Sequence, residues 1–417
     1  MADTESLKKG TEEWVMARKN RNHGLLPLKE ALNACGNPQN DVEIVHITGT
    51  NGKGSTLNYL KDILMAHGFT VGTFTSPHLV AHRDRIRIND KWIPEDVFAD
   101  YIRECMPLIE KYELGMFETD LLVALLYMQK EKPDYFLVEA GIGGRLDSTN
   151  VIPYARMEII TSVALDHTQI LGGTIEQIAF EKAGIIRRRS TAVIGHLDPE
   201  AELIVRMHAY GRQANVIRTP GYRSTGRNTM HAYCDDYMIS SAAEYQKHNA
   251  CTALTAAWVL GIDIHDEKTK RAVKDSLWAG RFETAGTDPV ILLDGAHNEE
   301  GMRALCTSLH NVPQPVYAVF SALKDKQVRV MAELLQEHCE ELWVTRFSNA
   351  RMDTSGNMHA LPGTYEENWK NAVRKALGKA DGKGTVLITG SLYFISEVRK
   401  SFLRGDFQRQ KKTRKKP

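Results

Sequence analysis

The sequence predicts an α/β protein built as two parallel-sheet domains, and three observations predict it. An apolar run, Val42 to Ile47, enters a glycine-rich turn and then an amphipathic helix, the order of a buried parallel strand, a tight loop and a crossover helix. Short apolar runs then alternate with helical patterns, as strand-helix-strand units require. After Gly286-Thr287-Asp288-Pro289 the alternation restarts, which marks a boundary. The expected architecture is a P-loop-type, mostly parallel sheet domain with flanking helices over residues 1–284. A smaller C-terminal Rossmann-like α/β domain follows over 285–404, then a basic disordered tail over 405–417.

Taken in order, residues 1–41 carry a helical pattern around Trp14 and Val15, then Gly24 to Leu28 leads into a second helix ending near Cys35-Gly36-Asn37-Pro38. Thr70 to Thr75 reads as a strand, followed by an arginine-rich loop from Ser76 and a helix from Pro94. A helix over 118–130 leads to the strand Asp134 to Glu139, and the flexible run Ala140 to Asn150 follows it. A third apolar strand is expected over Glu158 to Leu165, with Asp166-His167 at its end. Next come a helix over 174–186, a strand over 191–195, a helix over 199–210, short strands over 214–241, and helices over 248–260 and 266–277. The second domain offers strands at Val290 to Leu293, Val316 to Phe320, Leu342 to Thr345 and Thr385 to Ile388, separated by helices.

Composition narrows the function classes. Lys and Arg total 53 against 52 for Asp and Glu, so no overall basic field argues for nucleic acid. The charge is local: Lys411, Lys412, Arg414, Lys415 and Lys416 cluster at the end of the chain, a pattern usual for a solvated tail and open to a role at RNA or an anionic surface. The six cysteines (Cys35, Cys105, Cys234, Cys251, Cys306, Cys339) are scattered with no metal-like spacing and read as reduced thiols of a cytoplasmic protein. No signal-peptide core and no run of about 18 apolar residues occurs, so no membrane partner is expected.

The chemistry gathers at strand ends. Thr48 to Ser55 (TGTNGKGS) places three glycines, Lys53 and three hydroxyls at a strand-to-helix junction, where free backbone N–H groups and the helix dipole attract a polyphosphate. It departs from the generic G-x-x-x-x-G-K-[ST] pattern, since Ile47 stands where the first glycine belongs and Gly54 separates Lys53 from Ser55. Ligands of open parallel sheets sit outside the carboxyl ends of strands. Glu139, ending a buried strand, is therefore the natural carboxylate for the Mg²⁺ that a bound triphosphate needs. From residue chemistry alone His167 stands open between metal ligand, proton carrier and structural residue. Lys182, on a helix amid apolar neighbours, would ordinarily be a snorkelling surface residue.

VHITGTNGKGST, FTSPHL, VEAGIGGRLDSTN, ALDHTQILG, EKAGII, HNACTAL, GRFE, LLDGAHN and TGSLY are spread over most of the chain in a constant order. Together they resemble the folylpolyglutamate synthase and dihydrofolate synthase family of the Mur ligase superfamily. The resemblance implies an ATP-dependent acid–amino-acid ligase acting on folate or dihydropteroate and L-glutamate, with ATP and one or two Mg²⁺ as cofactors and a K⁺ requirement left open. It implies further that Gly52, Lys53, Gly54 and Ser55 hold the phosphates, that Asn249, Arg281 and Asp294 complete the ATP site, and that Ser76, Glu139 and His167 hold Mg²⁺. Lys182 of the EKAGI motif would be carbamylated, which makes it an anion. Lys53, Glu139, His167 and Lys182 form the expected catalytic set. The pterin-bearing substrate is expected near Gly24 to Pro27, Phe117, Glu118, Leu146, Asp147 and Ser148. A monomer, with no nucleic-acid partner, is the expected state.

Two rival readings stand beside this one. A cell-wall Mur ligase shares the nucleotide loop but carries a substrate domain ahead of it, for which the 48 residues before Gly49 are too few. A nucleotide-binding switch without catalysis would be signalled by loss of Lys53, Glu139 or His167, and all three are present.

Overall fold

The structure, a computed structural model, describes residues 4–19, 24–349, 351–352 and 357–407. The lysine- and arginine-rich end of the expected tail, from residue 408, lies outside the described residues. The chain divides into two compact units. The first comprises residues up to Ser240 together with Tyr245–Leu277, and the second Ser241–Glu244 with the chain from Trp278 onward.

The first unit is organised on an eight-stranded sheet. Its strands are β1 (Ile44–Thr48), β2 (Val71–Phe74), β3 (Ile86–Ile88), β4 (Lys91–Trp92), β5 (Tyr135–Glu139), β6 (Met157–Ile160), β7 (Thr191–Ile194) and β8 (Asn215–Arg218), in the order β4-β3-β2-β5-β1-β6-β7-β8. From β2 to β8 neighbours run parallel, while β3 and β4 add an antiparallel edge. Every residue of β1 is buried, as a central parallel strand covered on both faces requires. Alternation assigns the faces. Ile44, Phe74, Phe136 and Val138 pack on one side against the helices Leu26–Ala34, Glu95–Lys111 and Met116–Glu131. Val45, Ile47, Val71 and Leu137 pack on the other against Lys53–Ala66 and Glu244–Val259.

Polar groups inside this sheet are neutral or paired. Burial and the nearby Arg187 push His46 down to about 3, so its imidazole is uncharged, with Nε2 2.8 Å from Thr149 Oγ1. Burial pushes Glu158, at the centre of β6, up to about 7, against hydrogen bonds from Ser190 and the Arg187 backbone and the Arg187 charge, which lower it. A three-stranded antiparallel sheet, β9 (Arg223–Gly226), β10 (Thr229–Ala232) and β11 (Asp235–Met238), is tied to the helix Glu244–Val259 by the buried Lys247, whose Nζ donates to Ser224 Oγ at 2.6 Å and Gly226 O at 2.9 Å.

The second unit holds β12 (Glu283–Thr287), β13 (Val290–Asp294), β14 (Val316–Phe320), β15 (Glu341–Arg346), β16 (Thr364–Asn368) and β17 (Thr385–Thr389), in the order β12-β13-β17-β14-β15-β16. All pairs are parallel except β12 with β13. That hairpin explains where the units divide: residues 278–284, read with the first domain in the sequence, belong to the second because Glu283 pairs with Leu293 across it. Residues 405–407, read with the tail, pack onto the same unit through Phe407, whose ring lies 4.6 Å from that of Phe402, and Asp406, which accepts from Ser401 Oγ at 2.6 Å.

Candidate active site

The loop between β1 and the helix Lys53–Ala66 is built from outside itself. Thr50 N–H donates to Ser162 O at 2.9 Å, Asn51 N–H donates to Ser162 Oγ at 2.9 Å, and Thr161 Oγ1 donates to Asn51 O at 2.6 Å. The segment after β6 thus serves as a template for the loop. This corrects the third strand of the sequence reading. It ends at Ile160 rather than Leu165: the Thr161 N–H still reaches Thr48 O at the end of β1 at 2.9 Å, but Thr161 Oγ1, Ser162 and Ala164 bond to the loop.

Gly52 caps the helix at φ +84°, in the left-handed region that glycine enters without strain, and a Cβ there would overlap Asn249 Oδ1. Asn249 in turn donates from Nδ2 to Gln246 Oε1 at 3.1 Å, and Gln246 Nε2 lies 3.4 Å from Ser55 Oγ. Two expected nucleotide residues, Ser55 and Asn249, are therefore joined through Gln246, which the sequence reading did not single out. No side chain caps this helix and no acid sits in its first turn, so its N-terminal dipole faces the loop uncompensated. Lys53 Nζ folds back to donate to Gly49 O at 2.9 Å and Thr50 O at 3.3 Å, and Gly54 lies buried in the first turn.

Glu139 ends β5 opposite Ile47 of β1, one residue from the start of the loop. Its Oε2 accepts from the Ser76 N–H at 3.2 Å, so Ser76 and Glu139 meet, and Glu139 is 4% exposed. Their oxygen donors suit a hard divalent cation. Because β6 ends early, His167 lies seven residues past Ile160 rather than directly at the strand end, at φ +49°, capping the short helix Thr168–Leu171. Its backbone N–H donates to Asp166 Oδ1 at 2.8 Å, and its side chain is 31% exposed.

Lys182 is buried, at 2% exposure, on the helix Ile175–Ala183. That helix is locked to the run after β5. The Arg145 N–H donates to Glu181 O at 2.7 Å, the Arg145 guanidinium donates to Glu181 Oε1 at 2.7 Å, and a Cβ on Gly144 would come within 2.9 Å of Lys182 O. The expected substrate residues share this region but differ in what they touch. The ring of Phe117 lies 5.3 Å from Phe74 and against Gly141. Leu146 is 60% exposed, and Ser148 opens the turn Ser148–Val151. Two carboxylates instead hold backbone. Glu118 accepts from the Gly115 N–H at 2.8 Å, capping its own helix. Asp147 accepts from the N–H groups of Ile142 at 2.8 Å and Thr149 at 3.0 Å; burial raises its pKa while these bonds lower it. Leu25, Leu26 and Pro27 enter the helix Leu26–Ala34.

In the second unit Asp294 ends β13 and is 2% exposed. It accepts from the Phe282 N–H at 2.8 Å and the Ala296 N–H at 2.8 Å, which fixes the turn carrying Arg281.

Comparison with known proteins places this arrangement. The family model described as "Mur ligase middle domain" matches residues 47–257, and "Mur ligase, glutamate ligase domain" matches residues 280–392. The dihydrofolate synthase/folylpolyglutamate synthase of Bacillus subtilis (strain 168) is 32% identical over 406 residues, covering 90% of this chain and 94% of that protein. Escherichia coli FolC in complex with DHPP and ADP superposes with a TM-score of 0.87 at 27% identity, over 97% of this chain and 99% of FolC. A bifunctional folylpolyglutamate synthase/dihydrofolate synthase with Mn, AMPPNP and L-glutamate bound gives a TM-score of 0.86 at 27% identity, over 96% of this chain and 99% of that one. The chain belongs to the folylpolyglutamate synthase/dihydrofolate synthase family of the Mur ligase superfamily, and is an ATP-dependent ligase.

Proposed function

We propose that this ligase joins L-glutamate through an amide bond to the γ-carboxylate of a reduced folate at the expense of ATP, and that the residues gathered at the ends of β1, β5 and β6 carry the phosphoryl chemistry. The observation that carries the assignment is the phosphate loop itself, shaped by Thr161 and Ser162, closed by Gly52 and set at an uncapped helix N-terminus, with the Ser76–Glu139 pair one strand away. Backbone N–H groups and Lys53 bind the triphosphate there. Ser76 and Glu139, with His167, would hold Mg²⁺, which neutralises charge on the outer phosphates.

The substrate carboxylate attacks the γ-phosphorus of ATP, the bond to the β-phosphate oxygen breaks, and ADP leaves an acyl phosphate. The amine of glutamate then attacks the acyl carbon, inorganic phosphate departs, and the ammonium proton is lost as the amide forms. The protein's part is positioning and charge stabilisation. Lys53 stabilises the transferring group, and Asn249 and Gln246 fix the loop that holds it. Phe117 and Leu146 offer apolar surface to the pterin, while Asp147, Ser148 and Glu118 shape the backbone that presents it.

Lys182 acts in this reading as a carbamate. A lysine with 2% exposure keeps a cation in a costly place, and carbamylation by CO₂ turns it into an anion able to serve a metal site. Free thiols at all six cysteines accord with a cytoplasmic location, and among the described residues no helix is long and apolar enough to cross a membrane.

Dihydropteroate is the second acid to test, because the Bacillus subtilis relative carries both activities in its name and E. coli FolC binds DHPP. The deciding experiment incubates the protein with ATP, glutamate and either a reduced folate or dihydropteroate. ADP release that requires both acid and glutamate is expected. ADP release that needs neither would mark a nucleotide switch and end the ligase reading.

A further inference from the structure

The run between β2 and β3, residues 75–85, carries Ser76 and is held by a buried charged network that the chemistry above does not use. Asp84 Oδ2 accepts from the N–H groups of Leu79 at 3.0 Å and Val80 at 2.7 Å, which closes one turn. The Thr75 N–H donates to Arg85 O at 2.9 Å, which brings the two ends of the run together. Two tethers come from outside the run: Glu12 Oε2 accepts from the His82 N–H at 2.8 Å with its Oε1 3.2 Å from Arg83 Nε, and Asp120 holds the side chains. Asp120, on the helix Met116–Glu131, has Oδ1 2.8 Å from His82 Nε2 and Oδ2 3.6 Å from Arg85 Nε. Because a carboxylate only accepts, His82 Nε2 is the donor. Arg85 also reaches from its terminal nitrogen to His78 Nδ1 at 3.4 Å, and the rings of His78 and His82 meet edge to face at 5.3 Å.

Asp120, His82 and Arg85 are 1%, 2% and 4% exposed. The network is a poor source of stability. Among the described residues His82 Nδ1, Arg85 Nε and Asp120 Oδ2 are buried without a hydrogen bond, and apolar residues of the same volume would pack at less cost. What the network supplies is a fixed connection. Asp120 lies one helical turn from Phe117, whose ring rests on Gly141, and it grips a run whose first residues put the Ser76 N–H 3.2 Å from Glu139 Oε2.

We propose that Asp120 is a positioning residue: through His82 and Arg85 it sets the course of residues 75–85, holds Ser76 at Glu139, and ties the metal-facing run to the helix that bears Phe117. The inference rests on the reading of Ser76 and Glu139 as metal-holding residues. Outer groups that orient metal ligands change metal affinity by roughly tenfold to a hundredfold when removed.

The test measures Mn²⁺ binding to the full chain with ADP present, by electron paramagnetic resonance, alongside ADP affinity in EDTA. Asp120→Asn should weaken Mn²⁺ binding by roughly tenfold or more while leaving metal-free ADP affinity within about twofold, and Asp120→Glu should restore part of the loss. His82→Gln, which leaves no buried charge unpaired, should show a smaller loss in the same direction and serves if Asp120→Asn does not fold. Unchanged Mn²⁺ affinity in Asp120→Asn, or in His82→Gln where that variant stands in for it, overturns the proposal; so does a loss of metal and metal-free nucleotide affinity in equal proportion. Glu139→Gln separates the two layers. If it too leaves Mn²⁺ binding intact, the metal reading itself is wrong and the role of Asp120 falls with it.

Discussion

Glu158 makes the stability of the first unit depend on pH, and Glu158→Gln isolates that dependence. The carboxyl sits in the middle of β6 between His46 of β1 and Ala192 of β7, at 0% exposure, and burial pushes it up to about 7. An ordinary glutamate titrates near 4.5. The folded state therefore binds the proton more tightly than the unfolded chain, so stability is greatest below about 4.5 and declines as pH rises toward 7, where the folded group ionises. The gap corresponds to roughly 3 kcal/mol once the group is charged in both states. Glutamine keeps an acceptor for the Arg187 N–H that now reaches Glu158 Oε1 at 3.2 Å, and it carries no charge to bury. The variant should match the parent near pH 5 and exceed it at pH 8, by up to about 3 kcal/mol or on the order of 5 °C in the melting temperature of this unit. Urea or thermal unfolding at pH 5, 6, 7 and 8, read as the difference between the two proteins, supplies the measurement. A difference that does not change with pH, or one that turns against the variant as pH rises, would refute the account of a carboxyl strained by burial.

The remaining predictions concern the site. Lys53→Ala should remove ATP-dependent ligation while the circular dichroism spectrum stays that of the parent; parental turnover would overturn the phosphate-loop assignment. Gly52→Ala forces a side chain to φ +84° and against Asn249, so ADP affinity measured by calorimetry should fall at least tenfold, and an unchanged affinity would show that the loop's shape does not matter. Lys182→Ala should lose activity and regain part of it with added small carboxylates, and native mass spectrometry of the parent should find the mass of one CO₂ on Lys182; an unmodified lysine there counts against the carbamate.

Much of this was readable in the chain because it is local. The run Val42 to Ile47, the turn after it and the helix are contiguous, and the buried strand β1 and uncapped helix appear where the pattern puts them. Glu139 lies at a strand end for the same reason. The places where the reading fell short depend on partners far away in sequence. The third strand stops early because Thr161 and Ser162, more than a hundred residues from Asn51, bond to its loop, as the 110-residue separation of Thr161 and Asn51 records. The strands β3 and β4 are three and two residues long, below the length at which alternation declares itself. Asp120 sits in a helix of apolar residues and would be taken for a surface position until His82 and Arg85 are seen around it. The resemblance implies a place near the substrate for Asp147 and Glu118, but that their oxygens hold backbone N–H groups is a fact of geometry.

The tie between Thr161, Ser162 and the turn after β1 has a consequence for how nucleotide is captured. A glycine-rich turn standing alone would wander among many shapes and lose that freedom only on meeting a ligand; this one surrenders it when the sheet forms. Less ordering remains to be done at the encounter, so more of the contact energy is left as affinity. The same tie means that the two stretches form one inherited part: a change of shape in either has to be answered in the other.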